Sequence, residues 1–141
     1  MLKKIFVFLI VAFLVGCKNT VEDPFIWKTI EVTATAYNST VAQTDGNPHI
    51  TAWGDSLKPG MPYIAVSRDL VKKGLTHNTP VKIEGLVGTY LVKDKMHYRW
   101  RNKIDIYMGK DVKAAKAWGR KKVEIKYGII DTVRVKNQLL F

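Results

Sequence analysis

Residues 92–109 read VKDKMHYRWRNKIDIYMG. Asp94 and Asp105 bracket a segment crowded with Lys95, His97, Tyr98, Arg99, Trp100, Arg101 and Lys103. Asp105 lies inside the apolar alternation Ile104-Asp105-Ile106-Tyr107, where a carboxylate has no obvious structural reason to be. Asp94 ends one strand pattern and Asp105 sits in the next, so a hairpin between them would set the two acids side by side. Two carboxylates in one pocket repel until one holds a proton near neutral pH, and a protonated acid can donate to a glycosidic oxygen. The competing reading is that each acid pairs with a neighbouring Lys or Arg and does no chemistry.

Outward from this stretch the chain punctuates like an all-β domain. Ile30 to Tyr37 (IEVTATAY) alternates and is rich in β-branched residues. Tyr63 to Ser67, Thr79 to Glu84, Gly88 to Lys93, Ile104 to Met108 and Lys122 to Tyr127 supply further strand candidates, and Ile130 to Val135 offers a last one. Residues 38–62 are dense in Asn, Asp, Gly and Pro and read as a long functional loop. Asp111 to Gly119 carries a helix signature, with an Asp N-cap, an Ala-rich body and a closing Gly. A second helical turn is expected over Arg68 to Lys73, closed by Gly74. Six short strands with one or two short helices predict an all-β fold closed into a barrel, because closure removes exposed edges.

The first residues, MLKKIFVFLIVAFLVGC, have a different character. Lys3 and Lys4 precede an uncharged apolar run from Ile5 to Val15, too short for a comfortable membrane span but suited to a signal peptide. The run ends in Leu14-Val15-Gly16-Cys17, which resembles the lipobox of bacterial lipoproteins. The resemblance implies cleavage after residue 16 and lipidation of Cys17, the single cysteine of the chain. The expected organisation is a signal peptide over 1–16, lipidated Cys17 and tether over 17–29, and one barrel domain over 30–135. The expected address is the bacterial cell envelope, on the periplasmic side, with the lipid in the outer membrane.

The lone cysteine excludes a disulfide framework or a cysteine zinc site in the exported domain. His49, His77 and His97 share no short metal-ligand spacing, so no metal and no cofactor is expected. There is no G-x-S-x-G, H-E-x-x-H or phosphate-binding glycine loop. The formal net charge is +11, and falls to +9 once Lys3 and Lys4 leave with the leader. In the envelope such a charge meets cell-wall carboxylates or anionic lipid rather than nucleic acid.

Beyond these physical constraints, the 92–109 stretch resembles the three-aspartate (3D) domain. That domain is the catalytic barrel of membrane-bound lytic murein transglycosylase A and is related to rare-lipoprotein-A-like proteins. Its motif has the form A-x-D-x-G-G-A-I-K-G-x-x-x-D-x-Y. Val92-Lys93-Asp94 and Ile104-Asp105-Ile106-Tyr107 keep both acids at the same spacing. Thr35-Ala36-Tyr37, Thr51-Ala52-Trp53-Gly54, Tyr63-Ile64-Ala65-Val66 and Ala117 to Val123 match further family segments in order. The departures are local. Ser67 stands where the family has its first aspartate, with Asp69 two residues later. Met96 and His97 replace the glycine pair, and Tyr98 to Arg101 replace a small A-I-K-G segment.

The resemblance implies a double-psi β-barrel acting on peptidoglycan glycan strands as a lytic transglycosylase. It implies that Asp105 is the acid/base and that Asp94 tunes and positions it. Trp53 and Trp100 are then candidates for stacking on sugar rings. Arg99, Arg101 and Lys103 are candidates for the lactyl and peptide-stem carboxylates, and Tyr37, Asp45 and Thr51 are further substrate-binding candidates from the loop side. Two other readings remain beside this one: a peptidoglycan-binding barrel without catalysis, and an envelope assembly lipoprotein that docks protein partners.

Overall fold

A computed structural model describes residues 23–39 and 50–138. The leader, Cys17, the first part of the tether and Asp45 lie outside the described residues.

The chain order is β1 (Phe25–Tyr37), β2 (Tyr63–Val66), α1 (Arg68–Lys72), β3 (Pro80–Ile83), β4 (Tyr90–Lys95), β5 (Lys103–Tyr107), α2 (Val112–Trp118), β6 (Lys121–Ile130) and α3 (Thr132–Gln138). The strands close into a six-stranded barrel in the order β1-β5-β2-β4-β3-β6. β1 runs parallel to β5 and β2 parallel to β4, while the other neighbours are antiparallel. Crossed-over connections with two parallel pairs make this the double-psi arrangement rather than a meander. The expected all-β barrel is therefore the observed fold, although with three short helices.

Alternation explains which residues close the barrel. Val32 and Ala34 of β1, Ile64 and Val66 of β2, and Ile104 and Ile106 of β5 point inward and are fully buried. Val81, Val92 and Ile125 complete the same interior from the remaining strands. Burying each such side chain stabilises the fold by roughly 1.5–3 kcal/mol. The residues between them on each strand face outward, and the candidate site is built on that face.

Three expectations are corrected. Residues 25–29 belong to β1 rather than to a tether, because β6 is long enough to pair with them from Phe25↔Ile130 onward. Residues 132–135 are helical, not a last strand. Ile130 already ends β6, and Asp131 then caps α3 by accepting the Val133 and Arg134 N–H groups on Oδ1. Finally, the strands carrying Asp94 and Asp105 form no hairpin, because β2 lies between them.

α2 matches its signature: Asp111 Oδ1 accepts the Ala114 N–H at 2.8 Å, and Gly119 ends the helix at φ +67°. α1 follows Ser67, whose buried Oγ accepts the Lys103 N–H at 3.0 Å and so ties the end of β2 to the start of β5.

Candidate functional site

The intervening strand brings the two acids together. Ala65 of β2 is opposite Asp105 across the antiparallel β5 and opposite Asp94 across the parallel β4. Asp105 is in turn opposite Thr35 of β1. Directly opposed residues share a face of the sheet, so Thr35, Asp105, Ala65 and Asp94 form one outward row over four strands. The two carboxyl-bearing backbones are two strand spacings apart, or about 10 Å, with only the Ala65 methyl between them.

Strict alternation would not have produced this row. Val92 points inward, so Asp94, two residues on, would also point into the core. A register shift between Ile64 and Ala65 inserts Lys93 as an extra residue: Ile64 pairs with Val92, but Ala65 pairs with Asp94. A bulge of this kind turns every later side chain to the other face. Asp94 consequently joins Asp105 outside the barrel, lining a cleft of about 190 Å³ together with Tyr37, Ala65, Lys95, Met96, His97 and Trp100.

Burial raises the pKa of both carboxyls, and different hydrogen-bond partners oppose that rise on each. Asp94 is pushed up first by burial and further by Asp55, but its Oδ1 accepts the Ala52 N–H at 2.7 Å and the Lys95 N–H at 2.8 Å, and Lys95 adds its charge. Asp105 is pushed up by burial and by Asp94, against the Thr35 hydroxyl at 2.7 Å and the charge of Lys103. An amide N–H can only donate, and so favours an ionised Asp94. A hydroxyl can donate or accept. Thr35 Oγ1 also lies 3.5 Å from the Ile104 carbonyl, so it has a second acceptor when Asp105 is protonated. Amide donors thus favour the ionised form of Asp94, whereas Thr35 can serve either form of Asp105.

No ion pair among the described residues involves Asp94 or Asp105; the pairs fall at Asp55, Glu31 and Asp131. The reading in which each acid is neutralised by its own cation does not describe this cleft. Tyr37 lines it too, with a buried hydroxyl that has no hydrogen-bond partner among the described residues. Burial first, and then Asp94 and Asp105, raise the pKa of that phenol and keep it a neutral donor. Among the described residues no three His, Cys, Asp or Glu side chains converge as a metal would require.

The remaining candidates are distributed unevenly. Trp100 lines the cleft, with Lys103 Nζ 3.8 Å from its ring centroid and the Arg99 guanidinium at 5.1 Å. Lys103 is buried, which lowers its pKa against the opposing pull of Asp105. Arg101 is exposed and does not line the cleft. Thr51 is also outside it: its buried hydroxyl accepts the Asp55 N–H at 3.0 Å and shapes a turn. Trp53 stands on that turn, its ring 5.3 Å from His77 and 5.0 Å from Lys95 Nζ. Sequence reasoning missed Ala65, Lys95, Met96 and His97 as lining residues, and Thr35 and Ala52 as hydrogen-bond donors to the acids. The family-like segments Thr35-Ala36-Tyr37 and Thr51-Ala52-Trp53-Gly54 contained the last two, but nothing in them marked the donor.

What fold and site define is a closed β-barrel with an outward acidic cleft. No protein-family model matches the chain, and no curated protein does either. Among solved structures it is similar to the apo form of an expansin from Clavibacter michiganensis, at 23% identity and a TM-score of 0.44. It is also similar to a substituted form of that expansin in complex with cellohexaose, at 22% identity and a TM-score of 0.44. Each match covers 74% of this chain and 52% of the expansin chain, so this chain spans about half the length of those structures.

Proposed function

We propose that the protein is a lipid-anchored envelope enzyme that cleaves peptidoglycan glycan strands as a lytic transglycosylase. The observation that carries this reading is the pair Asp94–Asp105, raised by burial and without an ion pair among the described residues, lining one open cleft across Ala65. The spacing shared with the three-aspartate family supports it from the sequence.

Protonated Asp105 donates to the glycosidic oxygen as the bond from C1 of N-acetylmuramic acid to that oxygen breaks. The C6 hydroxyl oxygen of the same muramoyl residue attacks C1, and its proton returns to Asp105. The products are a free N-acetylglucosamine 4-hydroxyl and a 1,6-anhydro end, with no water consumed and the enzyme reset. One carboxyl acts as acid and then as base, unlike the paired acids of ordinary glycosidases. Asp94 stays ionised and holds the proton affinity of Asp105 high. Tyr37 and Trp100 offer a hydroxyl donor and a stacking face beside it.

A second reading is a barrel that grips glycan without cutting it. It is favoured by the bulk of Met96 and His97 on the cleft wall, where the family motif has its glycine pair. Incubation of the purified protein with sacculi separates the two. The enzyme releases 1,6-anhydro-muropeptides and Asp105→Asn does not; binding without anhydro ends would support the second reading.

A further inference from the structure

The turn beside the cleft is held by an ion-pair network outside the proposed catalytic groups. Gly54 N–H donates to the Thr51 carbonyl at 2.9 Å, making a four-residue turn with Ala52 at its first central position. Ala52 is the residue whose N–H reaches Asp94 Oδ1. The turn is fastened by Asp55, whose Oδ1 accepts from Lys93 Nζ at 2.9 Å and whose Oδ2 meets His77 Nε2. Lys93 is the bulge residue of β4. Its side chain is 14% exposed and that of Asp55 22%, so the pair is shielded rather than solvated. One lysine thus turns Asp94 outward through the backbone and anchors the turn that donates to Asp94.

We infer that Asp55 and Lys93 are positioning residues that fix which carboxyl of the pair carries the proton. The inference rests on the acid/base reading of Asp105. With the clamp closed, the Ala52 N–H keeps Asp94 an acceptor and therefore ionised, and the proton is left to Asp105. With the clamp open, Asp94 loses a donor and binds a proton more readily. Its negative charge then no longer supports the proton on Asp105, whose affinity falls. The groups facing Asp94 that enter this balance are Asp105 from β5, Tyr37 from β1, Lys95 from β4, His97 from the following loop and Asp55 from the turn.

The test is a carboxyl ¹³C NMR titration of the full chain in detergent, read at Asp94 and Asp105, beside the pH profile of sacculus cleavage. Lys93→Met should raise the Asp94 midpoint by about one unit and lower that of Asp105; Asp55→Asn should shift them the same way by less, because it also removes the Asp55 charge that raises Asp94. They should move the basic limb of the kcat profile to lower pH, cutting kcat about tenfold at neutral pH with KM unchanged. Lys93→Arg should restore both. Ala52→Pro removes the donor directly at a turn position that favours proline, and should reproduce the shift if the clamp variants fail to fold. Unchanged Asp94 and Asp105 midpoints in folded Lys93→Met, or in Ala52→Pro, would overturn the inference. Absence of cleavage by the wild type would instead count against the reaction, while the titration still decides the clamp.

Discussion

The Thr35 hydroxyl donates a 2.7 Å hydrogen bond to Asp105 Oδ1 from the adjacent parallel strand. Among the described residues it is the one side-chain donor to that carboxyl, and it stabilises the ionised form. Thr35→Val should therefore raise the Asp105 midpoint and move the basic limb of the activity profile to higher pH, opposite to the clamp variants. A rate loss of roughly 10- to 100-fold is expected from the misplaced carboxyl, with Thr35→Ser close to wild type. A pH–rate profile of the two variants checks both signs.

Asp105 should also cost the fold stability. Its folded pKa is raised, so the wild type is penalised once the pH exceeds the ordinary carboxylate value, and the penalty vanishes in acid, where both states are protonated. Asp105→Asn keeps an acceptor for Thr35 without the charge. It should gain about 1 kcal/mol at pH 7, a few degrees in Tm, while losing activity. Thermal unfolding at neutral and strongly acidic pH checks this: the gap between variant and wild type should close as the pH falls.

Ala65 is the floor between the acids and is only 6% exposed. Leucine there would occupy the space over which the two carboxyls face each other. Ala65→Leu should fold, at an overpacking cost of about 1–3 kcal/mol, but lose glycan binding as well as cleavage. Sacculus pull-down alongside circular dichroism separates a blocked cleft from a lost fold.

Ile64, the neighbour of Ala65, points the other way and is completely buried. Ile64→Ala should cost roughly 2–5 kcal/mol in denaturant unfolding. Under conditions where the variant stays folded, the pH dependence of cleavage should be unchanged, because the outward row is intact.

These neighbours also show what the sequence makes legible. Alternation in Ile30 to Tyr37 and in Ile104 to Tyr107 identifies strands and puts Asp105 outside the core. Asp111 and Gly119 mark both ends of α2. The eleven-residue interval from Asp94 to Asp105 matches a family spacing, and both acids line the cleft. The route between them is not legible. A two-strand hairpin is the local solution, whereas the barrel inserts β2, a segment from the far side of a long loop. The bulge at Lys93 arises only from that pairing, so a pattern confined to β4 sends Asp94 inward. Thr51 and Arg101 carry suitable chemistry for a glycan, yet one is consumed in a turn and the other is exposed and does not line the cleft. Val133 and Val135 alternate like a strand, but with β6 already ended by Ile130 the Asp131 cap decides for a helix.

The central claim is that Asp105 alone serves as acid and then base, with the muramoyl C6 hydroxyl as nucleophile. The most direct measurement is mass spectrometry of glycan ends released from sacculi in H₂¹⁸O by the wild type and by Asp105→Asn. The account predicts ends one water lighter than hydrolysis products, without ¹⁸O at the new muramoyl terminus, from the wild type only. Terminal incorporation of ¹⁸O, or anhydro ends from Asp105→Asn at the wild-type rate, would contradict it.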